Sequence, residues 1–517
     1  LLGVNTNKEQ AFSMYGYGLR GVSDDVYYYN PQKVPPVVNH GTPEFPDYAA
    51  TRYYSSDFTE KRMVSYFGRL GYNYKQRYLL EFTFRRDGSS TFGEGNRWAN
   101  FPSVAVGWSF SEEPFIKRLT GGWLNWGKIR GSYGKSGQTF TSAYLAHGLM
   151  NIMDKSFFGK TGITTDKPVS PYLTWEKTRQ YDLGLDMDMF NYRLNVKLDY
   201  YYKYTSSLIY DIPIPGSLYA FGAQVENAME ISNEGLELEL QADILRESAV
   251  SWRMKFNMAR NWNRFEKSYS GKDVVDGDGT LLVVGRPLNG LYVWAHRGYY
   301  NSDAEVPRLY KIDGQEIYFN GVATNGISGA VGDYRLLDLD GDGNPDSYYA
   351  GSPLPLAHGG WVNELMWKNF DLNVLVNFTI GRKMINNRMG LGFSRQSEDG
   401  HLTKLFDYRK LRPWDGVNKK PNAPAWGNSL SMNTDSAIEK VHHLALKQIT
   451  LGYNLPDRIS KKAGLSGVRF FLTAENLFYL SNYSGGNPEV VNIYTGRDNG
   501  DTYPLPRKYT LGLTLNF

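Results

Sequence analysis

The chain contains a long segment in which apolar and polar residues alternate. In residues 191–203 every even-numbered position, from Tyr192 to Tyr202, is apolar or aromatic, and every odd-numbered position except Tyr201 is polar. Side chains of a β-strand alternate between its two faces, so the segment predicts a strand with one apolar and one polar face. It is longer than the about 5–6 residues usual for soluble strands and covers the about 9–11 residues that a tilted strand needs to cross a bilayer.

The same alternation recurs along the whole chain. It predicts about thirteen clear strands, and residues 1–19 supply one more. The thirteen are Met63–Tyr74, Arg77–Asp87, Phe101–Ser111, Leu124–Lys135, Arg179–Met189, Asn191–Tyr204, Asn233–Asp243, Ser251–Asn263, Trp361–Trp367, Phe370–Gly381, His443–Tyr453, Val468–Phe478 and Lys508–Phe517. A total of about 14 is even, as is usual for bacterial outer-membrane barrels.

The links between these strands alternate between short and long. Short links include 75–76, 190 and 368–369, and long ones include 136–178, 205–232, 264–360 and 382–442. The contrast is weakest between 88–100 and 112–123. Short turns at one end and long loops at the other are typical of outer-membrane barrels, whereas soluble domains rarely contain such long loops. We therefore predict an all-β fold, a transmembrane antiparallel β-barrel, with a soluble β-sandwich or propeller as the alternative.

Composition is compatible with this prediction. Mean hydropathy is −0.47, and no apolar run approaches the about 18 residues of a membrane helix, but barrel strands need only one apolar face. Aromatic residues make up 15% of the chain, which suits interfacial girdles and also a carbohydrate-binding β-protein. The net charge of +4 is too small and dispersed to indicate nucleic-acid binding, and the absence of cysteine excludes disulfides and Cys-ligated metals.

The last strand carries a candidate signal for barrel assembly. Barrel-assembly machinery recognises a spacing polar-x-Gly-x-x-hydrophobic-x-aromatic, which is matched by Thr510, Gly512, Leu515 and Phe517. A terminal strand presents unpaired backbone groups with which an assembly factor can pair.

Eleven short sequence motifs occur in order in and between the predicted strands. They are Arg85–Gly93, Phe101–Val104, Gly131–Gly137, Leu173–Glu176, Glu226-Asn227, Asn233–Leu238, Gly332–Tyr334, Asp338–Gly343, Leu446–Tyr453, Glu475–Phe478 and Tyr483–Glu489. In this order they resemble the SusC/RagA family of TonB-linked outer-membrane transporters from Bacteroidota. The resemblance extends from about Ser65 to Phe517, nearly the whole chain.

The resemblance implies a function and partners. Such proteins lie among outer-membrane lipids and import an oligomeric nutrient, a glycan oligosaccharide or a peptide, with a SusD-like surface lipoprotein as lid and TonB as energy source. They carry an N-terminal plug inside a barrel of about 22 strands. Residues 1–517 show no plug, TonB box or signal peptide. We therefore expect a single barrel domain, the C-terminal portion of the transporter, with its coupling to TonB in the part that precedes it.

One predicted loop has the spacing of a calcium site. Asp338, Asp340, Asp342 and Asp346 occupy positions 1, 3, 5 and 9 of an EF-hand-like loop, with glycine at position 6. Their oxygens are suitable Ca²⁺ ligands, and a structural Ca²⁺ is the only cofactor we predict. Position 12, which should be a bidentate Glu, is Tyr349, so a simple Asp/Gly-rich turn is the alternative.

The sequence predicts no enzyme. It contains no nucleophile elbow, zinc-protease, P-loop or dinucleotide motif, and no catalytic residue is assigned. Charged strand residues such as Glu237, Glu239, Arg253 and Lys255 are expected to be paired or solvated. For most of the loop aromatics we favour contact with the lipoprotein, and direct ligand contact for a few; they include Tyr292, Trp294, Tyr299, Tyr300, Tyr348 and Tyr349. The sequence does not identify the substrate-binding residues.

Two other functions compete with TonB-dependent import. A stand-alone 14-stranded outer-membrane diffusion pore would explain the strands and would work without TonB. A secreted, soluble β-rich protein that binds or cleaves glycans would explain the aromatic content, and would appear in the soluble fraction.

Overall fold

In the computed structural model the long elements are all β-strands, and the helices are short. The structure describes residues 1–18, 38–39, 48–49, 52–140, 142–148, 150–157, 160–165, 168–219, 221–246, 248–275, 281–306, 308–310, 316–318, 331–339, 346–387, 412–417, 420–425, 434–500 and 502–517. Within these ranges, no helix is long and apolar enough to span a membrane.

In the described residues, fourteen strands pair antiparallel with their chain neighbours in one sheet, and a short fifteenth strand, Arg497–Asp498, pairs in parallel with the strand Phe370–Asn386. The fourteen are β1 (Leu2–Gly18), β2 (Arg52–Tyr74), β3 (Tyr78–Ser89), β4 (Trp98–Trp108), β5 (Leu124–Gln138), β6 (Glu176–Met189), β7 (Leu194–Pro213), β8 (Ala223–Leu245), β9 (Val250–Lys267), β10 (Ala357–Trp367), β11 (Phe370–Asn386), β12 (Ile438–Asn454), β13 (Gly467–Ser481) and β14 (Lys508–Asn516). The predicted strands and their antiparallel order are confirmed.

The remaining elements are short and lie in the links. Two-stranded ribbons are formed by Val38–Asn39 with Tyr48–Ala49, Met150–Phe157 with Lys160–Thr165, Val274–Val275 with Leu281–Leu282, Leu291–Trp294 with Ser347–Gly351, His296–Tyr299 with Tyr334–Leu336, and Arg308–Tyr310 with Glu316–Tyr318. The α-helices are Pro114–Thr120, Gly216–Tyr219 and Asp457–Ser460, and the 3₁₀ helices are Phe110–Glu112, Asp303–Glu305, Asp435–Ala437, Lys461–Ala463 and Pro488–Val490. No separate plug-like domain occurs in the described residues.

The strand register gives the sheet one apolar and one polar face. One row of paired residues runs across β2 to β6 through Leu70, Phe82, Val104, Tyr133 and Tyr181. The next row, on the opposite face, runs through Gly71, Glu81, Ala105, Ser132 and Asp182. Leu70 is 70% exposed, which is unfavourable in water and favourable against lipid. We call these the apolar face and the polar face.

A row of aromatic residues marks one end of the apolar face. At the end where the links are short, Trp367, Phe370, Tyr453 and Phe470 are directly paired across β10 to β13. The Trp367 and Phe370 ring centroids lie 6.1 Å apart, and those of Phe370 and Tyr453 lie 4.7 Å apart. Such a row is typical of the membrane–water interface, where an aromatic ring meets both lipid tails and polar headgroups.

One predicted loop is mostly strand. Residues 205–232 were expected to form a long loop, but β7 continues to Pro213 and β8 begins at Ala223. The register of the β7–β8 pair shifts between Thr205 and Leu208, and Ser207 has a positive φ of 60°. This bulge breaks the alternation, so the pattern conceals the continuing strand.

Two predicted strands extend too far at one end. The strand predicted over 191–204 begins only at Leu194, because Phe190, Asn191 and Tyr192 all have positive φ and form the corner. The strand predicted over 101–111 ends at Trp108 and is followed by the Phe110–Glu112 turn of 3₁₀ helix. In both places hydrophobic turn residues continue the alternation beyond the strand.

A tyrosine fills the space above a glycine on the polar face. A Cβ at Gly235 would lie 2.6–2.7 Å from the ring of Tyr201, whose hydroxyl donates a hydrogen bond to Asn261 Oδ1 at 2.9 Å. The missing side chain of Gly235 therefore lets Tyr201 cross β8 and bond to β9.

We predict that Gly235→Val destabilises the sheet, because the added atoms displace Tyr201 and overpacking costs about 1–3 kcal/mol. The full-length protein in detergent should unfold at a lower temperature, measured by the heat-dependent shift in gel mobility. Gly71→Val is the matched control, since a Cβ there meets nothing within 4 Å. Equal losses in both variants would contradict this role of the Gly235–Tyr201 contact.

Candidate functional site

Charged side chains pair across the polar face. The Arg130 guanidinium lies 3.1 Å from the Asp186 carboxylate and 2.5 Å from that of Asp199. Further pairs are Lys197–Glu239 at 3.3 Å, Arg253–Asp243 at 2.6 Å and Lys255–Glu364 at 2.7 Å. The predicted pairing of Glu239, Arg253 and Lys255 is therefore confirmed. Such partly exposed pairs add only about 0–1 kcal/mol each to stability, so their main effect is a hydrophilic wall with balanced charge.

Two adjoining cavities lie on this wall. The first has a volume of about 610 Å³, and its polar lining includes Asn195, Lys197, Glu239, Gln241, Lys255, Asn257, His358, Thr379, His443 and Glu489. The second has a volume of about 910 Å³, and its lining includes Thr379, Arg382, His443, Glu489, Asn492, Tyr494, Arg497 and Asn499. The cavities share Thr379, His443 and Glu489, so they form one groove, which we call the polar cleft. Its size is that of a small-molecule or short-oligomer site.

A short helical turn places Glu489 between the two halves of the polar cleft. The Asn487 side chain accepts a hydrogen bond from the Glu489 backbone N–H at 2.9 Å and thereby caps the 3₁₀ helix Pro488–Val490. Glu489 Oε2 accepts from Lys447 Nζ at 3.2 Å, and Glu489 Oε1 lies 3.9 Å from His443 Nε2. Glu489 thus ties the link between β13 and β14, which we call the C-terminal loop, to two basic side chains of β12.

A bulge in β12 aims Lys447 at this carboxylate. The pairing of β12 with both of its neighbours skips Lys447 between Leu446 and Gln448. On the adjacent β13, Asn476 has a positive φ of 52°. Bulges re-aim side chains, and this one turns the extra residue towards the polar cleft. The bulge lies within one family-like segment, 446–453, and the residues on either side of it pair with another, 475–478.

A buried arginine fastens the same loop. Arg382 is 5% exposed, and its guanidinium donates to the carbonyl oxygens of Pro488, Val491 and Asn492 at 3.2, 2.9 and 2.7 Å. The Tyr483 hydroxyl adds a buried hydrogen bond of 2.8 Å to Asp498 Oδ2. The cleft-lining part of the loop therefore has a defined shape.

We predict that Arg382→Ala loosens residues 482–500, because hydrogen bonds to charged groups contribute about 1.5–3 kcal/mol each and three are lost. Hydrogen exchange of the full-length protein should become faster in this segment and remain unchanged in β2 to β6. Arg297→Ala, at an exposed loop position, is the control. Unchanged exchange in Arg382→Ala would disprove the anchoring role.

The aromatic residues of the longest described loop form a small core. The Tyr299 and Tyr334 rings lie 5.3 Å apart, and those of Tyr292 and Tyr349 lie 5.7 Å apart. Burial raises the pKa of Tyr292 to about 12 and also raises the pKa of Tyr334. Tyr300 is only 5% exposed. Several of the aromatics predicted to meet a partner therefore support the loop itself.

The predicted calcium ligands are only partly described. Asp346 Oδ2 accepts a hydrogen bond from the backbone N–H of Leu339 at 2.5 Å, which brings the two ends of the Asp-rich loop together. Asp338 lies beside Leu339, whereas Asp340 and Asp342 lie outside the described residues. In the described part of the chain, no three His, Asp or Glu side chains are grouped as metal ligands. Calcium binding stays a prediction.

The four residues of the predicted assembly signal lie on β14 or directly after it. Thr510 and Gly512 pair with Thr473 and Phe471, and a Cβ at Gly512 would meet the Phe471 ring at 2.0 Å. Leu515 is 42% exposed and Phe517 is 93% exposed. Gly512 thus has a local packing reason of its own, and recognition by the assembly machinery stays a prediction.

The polar cleft itself was not found from the sequence. Arg382, His443 and Glu489 come from three distant segments, and no motif relates their positions. The family-like segment 483–489 was the available signal, because it contains both Tyr483 and Glu489.

An antiparallel sheet with a lipid-facing apolar side, aromatic rows and a hydrophilic opposite side defines the wall of an outer-membrane β-barrel. Comparison with known proteins agrees: the family model described as "TonB dependent receptor-like, beta-barrel" matches residues 2–374. The chain belongs to this family, whose members are barrel proteins of the outer membrane.

Similar proteins place it near SusC and RagA. It is 32% identical to TonB-dependent receptor P26 of Formosa agariphila, with 90% of this chain and 47% of the relative covered. It is 29% identical to TonB-dependent receptor SusC of Bacteroides thetaiotaomicron, with 91% and 45% covered. The structure of the RagAB peptide transporter matches with a TM-score of 0.73 at 24% identity over 90% of this chain and 49% of that chain, which supports the fold. The chain spans about half the length of the curated relatives it matches.

Proposed function

We propose that this chain is the barrel part of a TonB-dependent importer that moves an oligomeric nutrient across the outer membrane. The observation that carries the proposal is the polar cleft on the hydrophilic side of a lipid-facing barrel wall. Family membership supports the dependence on TonB, and similarity to the structure described as the RagAB peptide transporter supports a peptide as cargo. The resemblance of the sequence to the SusC/RagA family supports a glycan oligosaccharide or a peptide as the substrate class. The chain's role is to bind and pass its cargo; we propose no covalent chemistry.

Partners follow from the same relatives. We propose that a SusD-like surface lipoprotein covers the long-loop end and that TonB acts through a plug domain. Exposed loop aromatics such as Tyr348 are candidates for the lipoprotein contact. We further propose that the barrel-assembly machinery recognises residues 510–517 and that Ca²⁺ stabilises the loop at 338–346.

Transport is tested by deleting the gene and measuring uptake of fluorescent oligosaccharide and peptide pools by intact cells. We expect uptake of one pool to be lost in the deletion strain, restored by the full-length gene, and lost again when TonB is deleted. Uptake that persists without TonB would favour a diffusion pore. Recovery of the protein in the soluble fraction would favour a secreted glycan-binding protein.

The polar cleft is tested at Tyr494, which lines it and is 73% exposed. An aromatic contact to a substrate is worth about 0.5–1.5 kcal/mol, so Tyr494→Ala should raise the half-saturating substrate concentration by about 2- to 10-fold. Tyr503→Ala is the matched control, since Tyr503 is 85% exposed and does not line the cleft. Identical uptake curves for the two variants would show that substrate does not contact this side of the cleft.

A further inference from the structure

Charge is distributed unevenly between the two ends of the sheet. At one end of the sheet, the links 75–77, 109–123, 190–193, 246–249, 368–369 and 455–466 together form what we call the short-turn rim. It contains ten of the 57 Lys and Arg residues and four of the 53 Asp and Glu residues, a net charge of +6. The rest of the chain has a net charge of −2. Positive charge is therefore concentrated at one end.

Four of the ten basic residues of the rim are available to a partner. Two of the ten basic residues are held by carboxylates of the rim, in the pairs Arg77–Glu113 at 3.3 Å and Lys117–Glu112 at 2.7 Å. Arg118, Arg458, Lys461 and Lys462 are exposed and make no ion pair with any residue that the structure describes. They lie on two helical turns, Pro114–Thr120 and 457–463.

Exposed apolar side chains are interleaved with these basic residues. Phe115 and Leu119 lie four residues apart on one side of their helix and are 60% and 80% exposed. Ile459, which follows Arg458, is 52% exposed. Beside the first helix, the Trp123 and Phe190 rings lie 6.2 Å apart, with exposures of 47% and 53%. We call these five exposed residues the apolar collar. A soluble acidic partner would match the charge of the rim but would not require exposed apolar side chains beside it.

The collar continues the apolar face. Trp123 directly precedes β5 and Phe190 directly follows β6, and both strands contribute to the lipid-facing wall. Lys75 and Lys368 each lie over a neighbouring aromatic ring, with Nζ 5.2 Å from the Tyr74 centroid and 5.1 Å from the Trp367 centroid. Aromatic rings at the lipid boundary with cations just beyond them match the order of layers from acyl chains to headgroups.

We propose that the short-turn rim binds anionic phospholipid headgroups of the inner leaflet of the outer membrane. Short turns of such barrels face the periplasm, so this leaflet is the one the rim meets. Lys and Arg would donate hydrogen bonds to the phosphate oxygens, while Phe115, Leu119 and Ile459 enter the acyl boundary. The rim would then fix the depth of the barrel and gather a shell of anionic lipid. This inference is independent of the transported substrate.

The experiment places the full-length protein in nanodiscs of phosphatidylcholine with 30% phosphatidylglycerol and measures the lipids retained on mild detergent extraction. The rim variant combines Arg118→Gln, Arg458→Gln, Lys461→Gln and Lys462→Gln. The control combines Lys177→Gln, Lys272→Gln, Arg297→Gln and Lys440→Gln, at exposed positions outside the rim with the same change in charge. Unchanged heat-dependent gel mobility confirms that each variant is folded.

We expect the ratio of phosphatidylglycerol to phosphatidylcholine in the lipid retained by the unmodified protein to be about fivefold that of the bilayer. The rim variant should lose most of this excess, and the control should keep it. Equal retention by the unmodified protein and the rim variant would overturn the proposal. Equal loss in both variants would also overturn it, because net charge and not the rim would then be responsible. If the rim variant keeps the lipid shell of the unmodified protein but no longer binds an acidic periplasmic protein, the rim is a binding site for that protein instead.

Discussion

The need to satisfy every backbone hydrogen bond within hydrocarbon determines this structure. Lipid offers no donor or acceptor, so each N–H and C=O that crosses the bilayer must find its partner in the protein. The chain meets this requirement between neighbouring strands, because fourteen described strands pair antiparallel in one sheet whose two outer edges are β1 and β14. Strands of 23 residues, such as β2 and β8, exceed what a bilayer requires and carry the sheet beyond the membrane at the long-loop end. There the loops can fold on them.

Once the ladder is in place, the two faces and the two ends acquire different chemistry. The apolar face meets lipid, and the polar face carries paired charges and the polar cleft. At the long-loop end, Arg382 and Glu489 fasten the C-terminal loop to the wall, so the cleft is shaped by packed backbone. At the other end the links form no comparable loop over the wall in the described residues. These links present basic and aromatic side chains.

The sequence predicts the strands well because a lipid-facing strand requires strict alternation over many residues. Prediction fails where the backbone departs from that geometry. Ser207 bulges β7 and conceals its continuation, and Phe190 to Tyr192 form a left-handed corner that still alternates like a strand. The polar cleft is even harder to predict from the sequence, because its residues Arg382, His443 and Glu489 are far apart in the chain and meet only in the folded protein. Resemblance marks segment 483–489, but its role follows only from the contacts with Lys447 and Arg382.

The central claim is that alternate residues of these strands face lipid and a hydrophilic lumen. The most direct test is a nitroxide scan of residues 194–202, one cysteine at a time, in a stretch that contains no natural cysteine. In reconstituted full-length protein, spin labels at Val196, Leu198 and Tyr200 should be relaxed by oxygen and protected from a water-soluble nickel complex. Labels at Asn195, Lys197 and Asp199 should not show this preference for oxygen. Equal access of the nickel complex to both sets would contradict the account.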